Sequence, residues 1–364
     1  MNLFLTIYKK YWHNRWWLRG ILVSLIVLLL ILYILIKLSS SPTNTLRAIT
    51  YTKNIQKSER LAAWIYPDGK NCTALSELND GRKITTVKIE WLTIAAGQLE
   101  IITTDDACLG FAPELIPALK QNTTEQYLTI SALGAENIQS FLRNTDPNLT
   151  DFDLALQWLE TYDLSGLELD FESFGDWNEE LYLDYQNLVT ILGNELHSRN
   201  KKLLVTAPAI WDELSQSWFV WHYADWQNLP VDELVIMTYD HQYDYGAGVA
   251  IAPLEWMQSV VKYVTTNLAS DRLTFGIPSY AYTGTRGEYD IQILDYSAVK
   301  RLPGFNDAIR DPASAEMTWV KDGQVFFYND TTSLDIKKKL LRDLGVESIS
   351  VWHLGGNQWF TEEK

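Results

Sequence analysis

Beyond residue 60 the chain repeats one pattern: a short apolar, β-prone run, then a longer stretch in which apolar positions recur at helical spacing. The runs are LAAWIY (61–66), TVKIEWLTI (86–94), YLTIS (127–131), GLELDF (166–171), LLVTA (203–207), LVIMTY (234–239), LTFGI (273–277) and SISVW (348–352). Helical periodicity predicts helices over 135–144, 181–200, 253–268 and 334–344. Strands that alternate with helices pair in parallel through helical crossovers. Eight of them in roughly 300 residues fit a closed (β/α)8 barrel. An open doubly wound sheet is the competing architecture, but no glycine-rich phosphate loop follows any of the runs.

Two stretches break the rhythm. An apparent hairpin covers 95–102, and a long excursion separates the seventh and eighth runs, 283–328. Within it MTWVKDGQVFFY reads as two strands joined by Asp322-Gly323, so a small α+β insertion is expected there.

Before the first run lies a different kind of sequence. Residues 20–36, GILVSLIVLLLILYILI, carry no charge for 17 residues, and a helix over 18–38 is long enough to span a bilayer core. Lys9, Lys10, Arg15 and Arg19 precede it, which by the positive-inside rule puts the N-terminus in the cytoplasm and the large domain outside. No small-x-small cleavage site of good quality follows, so an uncleaved single-pass anchor in the cell membrane is expected rather than a signal peptide. The expected organisation is a cytoplasmic N-terminus at 1–19, an anchor at 20–38, a polar linker at 39–58 and the barrel at 59–364.

Charge narrows the partners. The first 38 residues hold five basic residues and no acid, and the remainder holds 25 basic against 46 acidic residues. Such a domain is a poor match for nucleic acid or an anionic surface. Two cysteines, Cys72 and Cys108, fall on the external side, where a single disulfide can form; two free thiols are the alternative. The histidines, His13, His197, His222, His241 and His353, show no metal-ligand spacing, and neither a metal nor an organic cofactor is expected. His241 and His353 lie beside the site motifs described next, where contact with a ligand or a packing role are both open.

The fourth run continues as GLELDFES, with acids at Glu168, Asp170 and Glu172. Alternate side chains of a strand share a face, about 6–7 Å apart. An antiparallel sheet with a solvated acidic side would explain the pattern blandly. In a parallel barrel, however, the outer face packs under helices, so Leu167, Leu169 and Phe171 turn outward and the acids turn in. The acids nearest the strand's C-terminal end then reach the mouth of the barrel. The same mouth should collect Trp211 after the fifth run, Met237, Tyr239 and Asp240 after the sixth, Tyr280 after the seventh and Trp352 at the eighth. Flat aromatics against sugar faces and carboxylates for proton transfer are what a carbohydrate site needs.

These motifs together resemble glycoside hydrolase family 18, and most resemble its bacterial branch of spore-cortex-degrading glucosaminidases. The resemblance runs from about 61 to 360. It rests on SGLELDFE beside the family's D-x-x-D-x-D-x-E, on MTYD, on RLTFGIPSYAY and on GVESISVWHLGG. It implies Glu172 as general acid, Asp170 as the holder of the substrate's N-acetyl group, Tyr239 as donor to the acetamido oxygen, Asp240 as a tuning carboxylate and Trp352 as the floor of the sugar site. Substrate binding by Met237, Glu168, Trp211 and Tyr280 follows from their places at the same mouth. The implied nucleophile is the acetamido oxygen of the substrate, with retention. No carboxylate ends the seventh or eighth run to serve instead, and Asp240 is the one obvious rival.

Two departures stand out: Ser165 and Glu168 occupy positions where the family has Asp. Glu168 and Asp170 are expected to share a proton, since adjacent buried carboxylates do not both ionise cheaply. The resemblance thus implies a hydrolase of β-1,4-linked N-acetylglucosamine polymers, of peptidoglycan or chitin type, which the N-terminal anchor would hold at the membrane and which is expected to be monomeric. A catalytically silent glycan-binding barrel and a partner-docking tether are the alternatives.

Overall fold

The computed structural model describes residues 60–67, 70–103, 108 and 110–361, all within one compact unit spanning 57–364. The expected anchor and linker lie outside the described residues. Among the described residues no helix is long and apolar enough to cross a membrane.

Eight strands pair side by side in parallel: β1 (Arg60–Ile65), β2 (Thr86–Ala95), β4 (Glu125–Ala132), β5 (Gly166–Phe171), β6 (Lys202–Ala207), β7 (Glu233–Ile236), β8 (Leu273–Pro278) and β14 (Ser348–Leu354). β1 pairs with both β14 and β2, which closes the ring. The remaining strand of this sheet, β3 (Gln98–Ile101), runs back antiparallel on β2 through Ala96 and Gly97, both with positive φ, and supplies the hairpin expected near 95–102.

Every barrel strand has two dry faces. The outer one, including Leu167, Leu169, Phe171, Leu203, Val205, Phe275 and Val351, joins the main core beneath the helices. Inside the ring Trp64, Tyr127, Leu204 and Val235 pack against one another as a plug. Acids on the inner face of β5 therefore have no solvent to face except at the open end of the barrel.

The helices Ala135–Asn144, Glu179–Ser198, Leu254–Asn267 and Thr331–Asp343 fall where helical periodicity places them. Two start at side-chain caps that the sequence supplies: Asn178 accepts from the Leu181 backbone N–H, and Asp330 forms a capping box with Ser333. The helices Asn71–Asn79 and Asp153–Thr161 were not predicted. Both are nine residues long, and the first buries only Asn71, Ala74 and Leu78, too few apolar positions to set a period.

A second sheet is inserted between β8 and β14. Its five antiparallel strands are β9 (Ala281–Thr285), β10 (Gln292–Leu294), β11 (Ile309–Arg310), β12 (Met317–Lys321) and β13 (Gln324–Tyr328), ordered β10-β9-β13-β12-β11. Asp322 and Gly323 join β12 to β13 with φ of 52° and 82°, the left-handed pair that a two-residue hairpin requires. β9 leaves β8 after only Ser279 and Tyr280, so the insertion is anchored at the barrel mouth. Cys72 and Cys108 are joined by a disulfide with Cα atoms 5.0 Å apart, tying the start of Asn71–Asn79 to the segment that follows β3.

Candidate active site

β5 delivers three carboxyl groups at increasing height in the barrel. Glu168 is fully buried, Asp170 is 8% exposed, and Glu172 is half-buried just beyond the strand. The exit of β5 is pinned. The Glu172 N–H donates to the Ala132 carbonyl at 2.9 Å, and Trp177 Nε1 donates to the Glu172 carbonyl at 2.9 Å. Ser173 then turns the chain with φ 61°.

A cleft of about 1030 Å³ opens above these groups, lined among others by Glu90, Asp170, Glu172, Met237, Tyr239 and Trp352. Asp240, Asp244 and Trp256 also reach it. Residues on or just beyond four separate barrel strands, β2, β5, β7 and β14, therefore converge on one space.

Tyr239 lies over Gly276 of β8, and its ring is 6.4 Å from that of Trp352 in a near-parallel arrangement. Trp352 meets Tyr280 edge-on at 5.0 Å. Asp240 occupies the left-handed region, φ 69°, and accepts hydrogen bonds from the Tyr280 hydroxyl and, at 3.2 Å, from Gln242 Nε2. Tyr280 is fully buried and does not line the cleft; it sits behind Asp240 and fixes its carboxylate. Trp211 also stands back from the lining. It packs against Trp256 at 6.0 Å and His241 at 5.9 Å. His353 is buried at the end of β14, with Nε2 3.6 Å from Asp295 Oδ1, away from the lining.

Burial dominates the electrostatics. The Asp170 carboxyl is pushed up to about 7 by desolvation and by the Glu168 carboxylate, against the pull of Thr206 and Lys88. Glu172 is raised well above the carboxylate range by desolvation, then by Asp170, Asp240 and Glu90. Asp240 rises to about 6 by desolvation, moderated by Tyr280 and Gln242. The Tyr239 hydroxyl is held far above its usual range by burial and the surrounding acids, so it remains a donor. A carboxyl at Glu172 biased toward its protonated form and a phenol O–H thus share the cleft.

Two participants on β2 escape the sequence reading. Lys88 and Glu90 alternate on the inner face of TVKIEWLTI just as Glu168 and Asp170 do on β5. The Lys88 ammonium lies 2.6 Å from Glu168 Oε1, with both side chains buried. Glu90 lines the cleft and is raised to about 8 by desolvation and Asp170. Glu168 thus has its own counter-ion in Lys88, and Asp240 is one of several further carboxylates at the mouth. The cue was a charged residue at alternate positions of an otherwise apolar parallel strand, the signal already read on β5. Among the described residues no group of three metal-ligating side chains is placed to hold an ion.

A closed parallel barrel with paired carboxylates at its C-terminal mouth defines a class of enzyme-like (β/α)8 sites. Residues 64–357 match the family described as glycosyl hydrolases family 18, and the chain belongs to that family of glycosidases. The cortical fragment-lytic enzyme of Bacillus anthracis is 23% identical over 222 residues, 55% of this chain and 48% of its own. That of Bacillus subtilis (strain 168) is 26% identical over 137 residues, 34% of this chain and 32% of its own. The chain thus spans about half the length, or less, of these curated relatives. The fold is shared with the Bacillus cereus spore cortex-lytic enzyme SleL, with a TM-score of 0.67, 19% identity, and coverage of 83% of this chain and 72% of the other. It is also shared with a chitinase of Chromobacterium violaceum, with a TM-score of 0.66, 19% identity, and coverage of 82% and 95%.

Proposed function

We propose that the protein is a membrane-anchored, retaining glycoside hydrolase that cleaves β-1,4-linked glycans containing N-acetylglucosamine, of peptidoglycan or chitin type, by substrate-assisted catalysis. The observation that carries this reading is the convergence of Asp170, Glu172, Tyr239 and Trp352, from three different strand ends, on one cleft.

Glu172, whose burial and acidic neighbours favour the protonated form, gives its proton to the glycosidic oxygen as the bond from that oxygen to the anomeric carbon breaks. The acetamido oxygen of the same sugar attacks the anomeric carbon and forms a cyclic oxazolinium ion. Tyr239 donates to that oxygen beforehand and Asp170 faces the acetamide nitrogen, so the nucleophile is aimed while water is excluded. Glu172, now a carboxylate, takes a proton from water, which opens the ring from the face the leaving group occupied. Trp352 offers an apolar floor for the sugar ring. Two inversions at the anomeric carbon give retention.

The location of the reaction follows from the N-terminal segment, whose 17 uncharged residues behind four basic ones suit a cytoplasmic N-terminus and an extracytoplasmic barrel. The Cys72–Cys108 disulfide suits the same side of the membrane. A tethered enzyme reaches only nearby polymer, which favours a glycan of the cell's own envelope. The relatives named for cortex lysis and those named chitinases make both polymers the substrates to try.

Incubating the protein with purified peptidoglycan and with chitooligosaccharides, and identifying new reducing ends by mass spectrometry, tests the reading. Proton NMR of the first product anomer tests retention. Cleavage beside N-acetylglucosamine with the β-anomer first is expected. No product from either polymer, or an α-anomer first, contradicts it.

A further inference from the structure

The partners of Glu168 come from three neighbouring strands. Oε1 faces the Lys88 ammonium at 2.6 Å, and Oε2 accepts from Trp64 Nε1 at 2.7 Å and from Thr129 Oγ1 at 2.8 Å. An ammonium and an indole N–H can only donate, so these partners suit an accepting carboxylate at Glu168. Lys88 is held in turn on two sides, its Nζ 3.8 Å from the centre of the Trp64 ring. The register explains the meeting: Lys88 is opposite Trp64 on β1, and Thr129 on β4 is opposite Glu168.

Lys88 and Glu168 Oε1 meet as an ion pair and not in hydrogen-bond geometry, and one step up the same strand Asp170 makes no such ion pair among the described residues. Asp170 Oδ1 is buried and has no hydrogen-bond partner in the protein. The groups around Asp170 are Glu168 and Glu172 on its own strand and exit, Lys88 and Glu90 on β2, Thr206 on β6, Tyr239 beyond β7, and Tyr185 from the helix Glu179–Ser198.

We propose that Lys88 is a positioning residue of this active site: it holds Glu168 as an ion-paired carboxylate, so that Asp170 is not tied down to Glu168 by a shared proton and keeps Oδ1 free for the substrate. This deepens the proposed hydrolysis and rests on it for its catalytic meaning, though not for its test. Glu168 is one methylene longer than an Asp and reaches down into the barrel to a cation on the neighbouring strand. The pair is neutral overall, so the proton of the β5 carboxyls belongs to the two groups that meet the sugar.

The test is a carboxyl titration of the full-length protein, 13C-labelled at Asp Cγ and Glu Cδ, between about pH 4 and pH 9, a window that brackets the carboxylates. In the wild type the Glu168 carbon should keep its carboxylate shift while Asp170 titrates without a matching response from Glu168. Lys88→Met should bring one additional titrating carboxyl into the window and move the pH profile of kcat by about one unit, the scale of losing a neighbouring charge. Lys88→Met/Glu168→Gln, in which residue 168 cannot take the proton, should remove that extra titration and return the profile. Titration as expected with no glycan cleaved by the wild type supports this role of Lys88 and sinks the proposed function. If Lys88→Met melts lower but keeps the wild-type titration and pH profile, Lys88 is merely structural and the inference falls. Should Lys88→Met not fold, reciprocal titration of Glu168 and Asp170 in the wild type overturns it alone.

Discussion

Glu172 and Asp170 are acids whose surroundings keep them from behaving as free carboxylates. Desolvation and neighbouring negative charge both favour the protonated form. As pH rises through their folded-state values the acid form is lost, so kcat/KM should fall on the alkaline side, which a rate profile from about pH 5 to pH 9 will check. Tyr239 depends on a neighbour of another kind. A Cβ added at Gly276 would come 2.6 Å from its ring, too close for both to stay. Gly276→Ala should therefore displace the hydroxyl and cost about 10- to 100-fold in kcat, with a stability loss of about 1–3 kcal/mol from overpacking. Unchanged kinetics in this variant would remove Tyr239 from the account.

Each element at the mouth brings residues in from far apart in the chain, and a disulfide ties Cys108, beyond β3, to Cys72. Closing a loop between residues 36 apart constrains the unfolded chain by about 4 kcal/mol on the chain-entropy model. Cys72→Ser/Cys108→Ser should lower the unfolding free energy by about 2–4 kcal/mol in urea titration while leaving the β5 groups in place. The period-2 pattern of β5 was legible because its outward residues are uniformly apolar and its inward ones uniformly acidic. The same pattern on β2 is masked by Trp91 and by a register shift between Glu90 and Leu92, so Lys88 and Glu90 did not read as site residues. Asp322-Gly323 was legible because only a tight turn needs two successive left-handed residues. Tyr280 and Trp211 sit at predicted strand ends but behind the lining, since sequence gives the height of a residue in the barrel better than its distance from the axis.

For the molecule as a whole, several acids carry folded-state values above their unfolded ones: Glu90 to about 8, Asp170 to about 7, Asp240 to about 6 and Glu172 higher than usual. A raised acid stabilises the fold fully below its unfolded value, and the contribution is lost as pH climbs through the folded one. The melting temperature should therefore decline between about pH 5 and pH 9, and Glu90→Gln should flatten the decline. A melting temperature that rises over the same range would show that the acids are not held protonated in the fold. The central claim is that this cleft hydrolyses a glycan through Glu172 and does not simply bind one. It is tested most directly by comparing wild type and Glu172→Gln on the same polymer, with turnover and glycan affinity measured in parallel. Turnover should fall by about 10²- to 10⁴-fold, the range for losing a general acid, with affinity retained. Equal turnover in the two proteins, or binding without product in both, would contradict it.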